Sequence, residues 1–339
     1  MTDDTARQDR EYERILLILI GRLGDYIATT PFVAGLRRRY PRAHITLITS
    51  QKARNLASSN PDIDRLVVFN GWHDPISAFR TFAAAAGKYD LAIDLNPTYS
   101  RTSLRLIALR KARTRIAFDK KAPAGTYTRT IPHSPDSEHM LDKYERMASV
   151  LDFRPGREMH ITLSGGAKRR GAELFRGLGL DEKAFIIAVH PGNFKKQENR
   201  WPEEKFVEFT KEALKESGNR VFYIAGPGEE SRINETILRF LPGIKLLPTA
   251  PEEVLAAALQ NADILVCNNT GTLHLAAAAG VPTFSFNRPY TEKCWQPRGE
   301  DNFFITASDL KSCRGIEVKD ALEAFRGAEA KLKKKRPTG

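Results

Sequence analysis

Residues 14–20 read RILLILI, and a glycine-containing turn, Gly21-Arg22-Leu23-Gly24-Asp25, follows at once. Beyond Arg14 the run has no polar position and so no face to give to water. It predicts a strand buried on both sides, the situation of a parallel sheet covered by helices. The next segments agree. A helix is predicted from Ala28 to Tyr40, with Pro31 in its first turn, where a missing N–H is tolerated. Strands are predicted at 44–49 (HITLIT), 65–69, 91–95 and 114–118. Helices are predicted at 51–59, 78–87, 103–115 and 139–151. The Pro- and Gly-rich stretch 122–138 is expected to be a loop. Strands alternating with helices predict a doubly wound α/β sheet.

The pattern then restarts. Composition shifts to Pro, Gly and Ser around 154–166, and strands follow at 184–190, 220–225, 264–267 and 283–286, with helices at 202–217, 251–260 and 273–279. The chain has 339 residues, too many for one ordinary core. Two domains are expected, 1–160 and 161–339, with a C-terminal helix packing back on the first. In such folds ligands sit at the carboxyl ends of the strands.

Composition narrows the function. Hydrophobic residues make up 41% and charged residues 28%, the profile of a water-soluble globular protein. No apolar run approaches the roughly 18 residues that span a bilayer. The opening segment is polar and unlike a secretory signal, so a cytoplasmic address is expected. Cys267, Cys294 and Cys313 form no CxxC pair and suggest neither disulfides nor a cysteine-held metal. The net charge of +12 implies an anionic partner: nucleic acid, an anionic membrane leaflet or a phosphorylated substrate. The densest basic cluster, Lys331 to Arg336, reads either as a lipid-docking element or as a solvated, frayed end. No zinc-finger spacing, RNA-binding aromatic motif or helix-turn-helix signature supports nucleic acid.

Four segments carry the residue types that chemistry needs. Gly24 offers conformational freedom, and Asp25 reads either as a helix cap or as a carboxylate placed to take a proton from a hydroxyl. Asn269-Thr270-Gly271-Thr272 opens a helix whose exposed N–H groups suit a diphosphate, or are merely capped. His274 lies one turn further in. The loop GNFKKQENRW holds Lys195, Lys196 and Arg200, cations suited to phosphate or simply solvated. Gly226-Pro227-Gly228-Glu229 places a carboxylate just past a strand, where it could meet a ribose diol or cap a helix.

Taken together, RILLILIGRLGDYIATTPFVAGLRRRYPRAHITLIT, HPGNFKKQENRWPEEKF, AGPGEE and NNTGTLHLAAAAGVPTFSF resemble, in that order, glycosyltransferase family 9, the ADP-heptose:lipopolysaccharide heptosyltransferases. The resemblance runs from about Arg14 to Pro297. It implies a GT-B fold, two Rossmann-like domains facing across a cleft, with the acceptor on the first and the sugar nucleotide on the second. It implies inverting, metal-independent transfer of heptose or a related sugar from a nucleotide diphosphate, with no cofactor beyond that co-substrate. The acceptor would be a phosphorylated glycolipid of the lipopolysaccharide core, reached from the inner face of the inner membrane. On this pattern Asp25 is the base, and Gly24 and Thr29 lie on the acceptor side. Thr270, Gly271 and Thr272 match the phosphate turn, and Glu229 matches the carboxylate at the donor ribose.

The sequence departs from the family on the donor side. Asn269 stands where many members have Asp, Asn199 where many have Lys, and Asn287-Arg288-Pro289-Tyr290-Thr291 replaces a common Gly-Pro-Thr. Lys195, Lys196, Arg200 or Arg288 would then supply the cation. An alternative is a family relative using another nucleotide sugar and another glycan. A basic nucleic-acid-binding protein is the distant third.

Overall fold

The computed structural model describes residues 11–109, 112–192, 200–216 and 218–336. The chain divides into two compact units, one ending at Thr162 and the other beginning at Leu163.

The first unit is built on strands β1 (Arg14–Leu19), β2 (His44–Ser50), β3 (Arg65–Phe69), β4 (Leu91–Asp94), β5 (Thr114–Phe118) and β6 (Arg129–Ile131). They lie parallel in the order β3-β2-β1-β4-β5-β6. The second has β7 (Phe185–His190), β8 (Asn219–Ile224), β9 (Lys245–Leu247), β10 (Ile264–Asn268), β11 (Thr283–Asn287) and β12 (Asn302–Thr306). Their order is β9-β8-β7-β10-β11-β12, again parallel. Both sheets therefore share one topology. The chain builds outward from its first strand, then returns to that strand's other side. The strand order reverses between β1 and β4, and between β7 and β10. Crevices at such reversals are where doubly wound sheets hold ligands.

The helices are α1 (Leu23–Arg39), α2 (Arg54–Ser58), α3 (Pro75–Ala85), α4 (Arg101–Ala108), α5 (Met140–Ser149), α6 (Gly165–Arg176), α7 (Glu203–Ala213), α8 (Glu230–Thr236), α9 (Glu252–Leu259), α10 (Gly271–Ala278), α11 (Pro289–Trp295) and α12 (Val318–Lys335). The period-two alternation of β7 shows how both faces are covered. Phe185, Ile187 and Val189 pack with Phe206 and Phe209 of α7 and Phe325 of α12. Ile186 and Ala188 point the other way, toward Phe175 of α6 and Leu259 of α9. Each such large side chain contributes about 1.5–3 kcal/mol on burial. Helix α6 approaches α9 so closely that a Cβ on Gly171 would sit 2.5 Å from the Ala257 Cβ.

Several boundaries differ from expectation. Helix α1 begins at Leu23, not Ala28, so Pro31 lies past its second turn. The carbonyl of Ile27, which would have taken a hydrogen bond from residue 31, accepts the Thr30 hydroxyl instead at 2.8 Å. That side-chain bond is what lets a proline sit there. Residues 129–131, expected in a loop, form the edge strand β6. Residues 51–59 divide into a 3-10 turn followed by the short α2. The basic cluster 331–336 is not frayed. It is the last turn and C-cap of α12 and is tied into the second unit: Lys335 pairs with Asp301 at 2.6 Å, and Arg336 reaches Asp263 at 2.7 Å and the Ala184 carbonyl at 2.7 Å. Helix α12 packs on α7 and β12.

Candidate active site

In the first unit, Asp25 occupies the third position of α1, immediately beyond β1 and beside the strand-order reversal. It is not the N-cap. Its Oδ2 accepts the N–H of Arg22, the residue that precedes the helix, at 2.6 Å. The carboxylate thus folds back over the turn. A Cβ on Gly21 would lie 2.8 Å from Asp25 Oδ2, so that position must lack a side chain. Gly24 is buried in the helix with ordinary helical backbone; the freedom expected there is used at Gly21, as close approach and not as a positive φ. Burial raises the Asp25 carboxyl above its ordinary 3.8, against the pull of the Arg22 N–H and the cationic Arg22 and Lys52. A carboxylate whose proton affinity is raised is a better base than a solvated one. Thr29 is buried, and its hydroxyl donates to the Tyr26 carbonyl at 2.7 Å, inside α1 rather than at the turn.

A second group of residues, which sequence reading passed over, lies across the same reversal at the end of β4. Asp94 is wholly buried. Its Oδ2 accepts Lys120 Nζ and the Tyr127 hydroxyl, both at 2.8 Å, and its Oδ1 accepts the Asn96 backbone N–H at 3.1 Å and side-chain amide at 2.7 Å. Lys120 is 4% exposed and also donates to the Asn96 carbonyl at 2.8 Å. Burial pulls the Lys120 ammonium down, while Asp94 pushes it back up. Asn96 Oδ1 in turn accepts the N–H of Ile20 at 3.0 Å, at the very start of the turn that carries Asp25. The network thus fixes the backbone from which Asp25 is presented. Tyr144, buried and bonded to the Leu95 carbonyl at 3.0 Å, feels both Asp25 and Asp94; burial first, then the two carboxylates, hold its hydroxyl well above the ordinary tyrosine value. Asp94 and Asn96 left a signal in LAIDLN, polar residues directly after an apolar strand. Lys120 and Tyr127 left none.

In the second unit, four segments meet at the carboxyl edge of the sheet. After β8, Gly226, Pro227 and Gly228 turn the chain, with Gly228 at φ +77°, and Glu229 opens α8. Glu229 Oε2 accepts the Gly226 N–H at 2.9 Å and lies 3.4 Å from His190 Nε2, at the end of β7. A Cβ on Gly192 would lie 2.4 Å from His190 Nε2 and 2.8 Å from Glu229 Oε2, so the three groups share one tight corner. After β10, Thr270 caps α10, accepting the Thr272 N–H at 3.3 Å, and Gly271 and Thr272 form the first helical positions. His274 is buried within α10, edge-on to Trp295 at 5.9 Å. Asn269 donates to Asn287 Oδ1 at 2.8 Å, and Asn287 donates to Gln296 at 2.7 Å. The departure noted at Asn269 is thus a neutral amide pair with Asn287. Arg288 caps α11, with its guanidinium 5.9 Å from the Tyr290 ring.

Of the basic loop, Lys195, Lys196 and Asn199 lie outside the described residues. Arg200 is buried, and its guanidinium lies 3.4 Å from Glu203, which also takes Arg232 Nε at 2.7 Å. It is thus engaged in an ion-pair cluster at the start of α7. Both ends of this loop are held by one side chain that sequence reading missed. Asn268, fully buried, accepts the Trp201 N–H at 2.7 Å and donates to the Pro191 carbonyl at 3.0 Å. Among the described residues, no three His, Cys, Asp or Glu side chains gather closely enough to hold a metal ion.

Known proteins resemble this chain in sequence and in fold. Lipopolysaccharide heptosyltransferase 3 of Escherichia coli is 26% identical over 304 residues, 80% of this chain and 84% of that protein. The glycosyl transferase of family 9 from Veillonella parvula superposes with a TM-score of 0.83 at 21% identity, covering 95% of this chain and 98% of its own. The E. coli heptosyltransferase WaaC with ADP-2-deoxy-2-fluoro heptose gives 0.70 at 20% identity, covering 93% and 99%. These structures share the GT-B α/β fold, and the family model for glycosyltransferase family 9 (heptosyltransferase) matches residues 82–320, more than half of the sequence. The chain belongs to glycosyltransferase family 9, and it is a glycosyltransferase.

Proposed function

We propose that the protein transfers heptose, or a closely related sugar, from a nucleotide diphosphate donor, ADP-heptose in the first instance, to a glycolipid acceptor of the lipopolysaccharide core. The observation that carries this reading is the Asp25 carboxylate, held over the turn beyond β1 with a raised proton affinity, in a chain of this family. The acceptor hydroxyl gives its proton to Asp25 as its oxygen forms a bond to the anomeric carbon. The bond from that carbon to the diphosphate breaks on the opposite face, so configuration inverts and the nucleotide diphosphate leaves. The departing charge is received by the N-terminus of α10 at Thr270-Gly271-Thr272 and by cations of the 192–200 loop and Arg288, without a metal. Glu229, beside His190 and Gly192, suits a ribose diol. The work is done at the cytoplasmic face of the inner membrane.

Replacing Asp25 with Ala tests the base. Transfer from ADP-heptose, followed by ADP release, should fall by roughly 100- to 10,000-fold. Donor affinity in calorimetry should stay within about threefold, because Asp25 sits on the other unit. Near-normal turnover in this variant refutes the assignment.

A second reading is favoured by the Asn269–Asn287 pair. A neutral amide there selects a donor whose sugar or phosphate asks for a hydrogen bond rather than a charge, and a different nucleotide sugar would then be the substrate. Thermal shift across a set of nucleotide sugars separates the two: no stabilisation by ADP-heptose beside a large one from another donor selects the second.

A further inference from the structure

The outer face of α3 is unlike an ordinary solvent face. Its inner stripe, Ser77, Thr81, Ala84 and Ala85, is buried. The outward positions include Ile76, 67% exposed, and Phe79, 75% exposed, one turn apart. Just before the helix stands Trp72, 46% exposed, braced by Phe69 and Phe82 with ring centroids at 5.2 and 5.6 Å. These are costly side chains to leave in water, since burying each would recover about 1.5–3 kcal/mol.

Guanidinium groups surround the apolar stripe. Ile76, Phe79 and Arg80 line a groove of about 940 Å³ whose other wall carries Arg54 and Arg65. Arg105 of α4 lies over the Trp72 ring at 5.3 Å. The lining contains one carboxylate, Asp74, and it is already used: it caps α3 by accepting the Ser77 N–H at 2.9 Å and takes the Asn70 amide at 3.0 Å. The surface is therefore apolar at its crest and cationic around it. That combination suits the headgroup region of an anionic bilayer, where aliphatic and aromatic tips enter the acyl boundary and arginines meet lipid phosphates. A partly exposed, braced Trp fits the same layer. A protein partner of this area would need its own acidic apolar patch, whereas a leaflet supplies both properties everywhere. No described helix is long and apolar enough to cross a membrane.

We propose that this face of α3, with Trp72 and the arginines 54, 65, 80 and 105, docks the protein on anionic phospholipid. Docking by this face does not depend on which sugar or acceptor is used. It moves membrane attachment away from the basic end of α12, where Lys335 and Arg336 are paired with Asp301 and Asp263.

Co-sedimentation of the full chain with vesicles tests it. Vesicles of phosphatidylethanolamine and phosphatidylglycerol should retain the protein, and vesicles of phosphatidylcholine alone should not. Each arginine near the surface contributes about fivefold, so Arg54→Gln with Arg80→Gln should weaken binding roughly 25-fold and flatten its salt dependence. Ile76→Ser with Phe79→Ser should weaken it by about tenfold or more while keeping the salt dependence. Trp72 emission should shift to the blue on anionic vesicles, and Trp72→Phe should abolish that shift. All these residues are exposed, so the variants should fold, and transfer to a lipid-free core oligosaccharide should be unchanged. That control separates failure of docking from failure of the transferase reading. Binding that survives both double variants overturns the proposal, as does no binding to anionic vesicles at low salt. So does a dimer in solution that Ile76→Ser with Phe79→Ser dissolves.

Discussion

Lys120→Met should cost the first unit about 3 kcal/mol. The substitution keeps the length of the side chain and removes its charge, leaving the wholly buried Asp94 carboxylate without its cation. Removing one partner of a buried ion pair costs about 3–5 kcal/mol, because the remaining charge is stranded. Here the lower end applies. Asp94 keeps the Tyr127 hydroxyl and both Asn96 donors, three of the four hydrogen bonds described above. For a unit of this size, that corresponds to a melting temperature lower by roughly 6–12 °C. Hydrogen exchange of the amides in β1 and β4 reads this unit alone, and its opening free energy should fall by the same amount. The double change Asp94→Asn with Lys120→Met leaves no stranded charge and should recover most of the loss. The two sites should therefore couple by about 2 kcal/mol. A Lys120→Met protein within about 1 kcal/mol of the parent would refute the argument, as would a double variant no more stable than the sum of its singles.

Asp25→Asn should abolish transfer yet stabilise the protein at neutral pH. The folded-state carboxyl is raised above its ordinary 3.8, so the folded protein holds a proton that the unfolded chain has already lost, and stability falls as pH rises through that window. Asparagine can still accept the Arg22 N–H without a charge, so the variant's melting advantage at pH 7 should vanish in acid below the ordinary carboxylate value; an advantage that grew in acid would reverse the sign of the argument. Asn268→Ala should cost about 2–3 kcal/mol by stranding the buried Trp201 N–H. It should also weaken nucleotide diphosphate binding in calorimetry by freeing Pro191 and Trp201 from each other, and an unchanged affinity would show that this tie does not serve the donor.

The central strands of both sheets were legible because burial on two faces demands unbroken apolar runs such as 15–20 and 185–189. Of the four edge strands, β3 was legible from its apolar run at 66–69, whereas β6, β9 and β12 were not. Each has a partner on one side only, so sequences such as Lys245-Leu246-Leu247 carry little of that signal. The start of α1 was read late because Gly24 and Asp25 look like turn residues, and the Thr30 hydroxyl that accommodates Pro31 shows only in three dimensions. The same holds at the site. Asp25, Glu229 and the 269–272 turn follow strand ends and could be picked out by position. Lys120 and Tyr127 come from distant segments, and their meeting at Asp94 is a property of the sheet order rather than of local sequence.

The contact of Arg336 with Ala184 and Asp263 has a consequence for synthesis. Arg336 stands 152 residues beyond the carbonyl it binds, and the Asp263 carboxylate it pairs with also accepts the Ile186 N–H at 2.6 Å, at the start of the central strand β7. The second unit therefore lacks this clamp beside its central strand until residue 336 has left the ribosome. The first unit, whose sheet closes at β6, can be finished long before. A growing chain would carry one folded Rossmann unit ahead of an open one, and slowing translation late in the message should prolong exposure of β7 and β10 to chaperones and proteases while sparing β1 and β4.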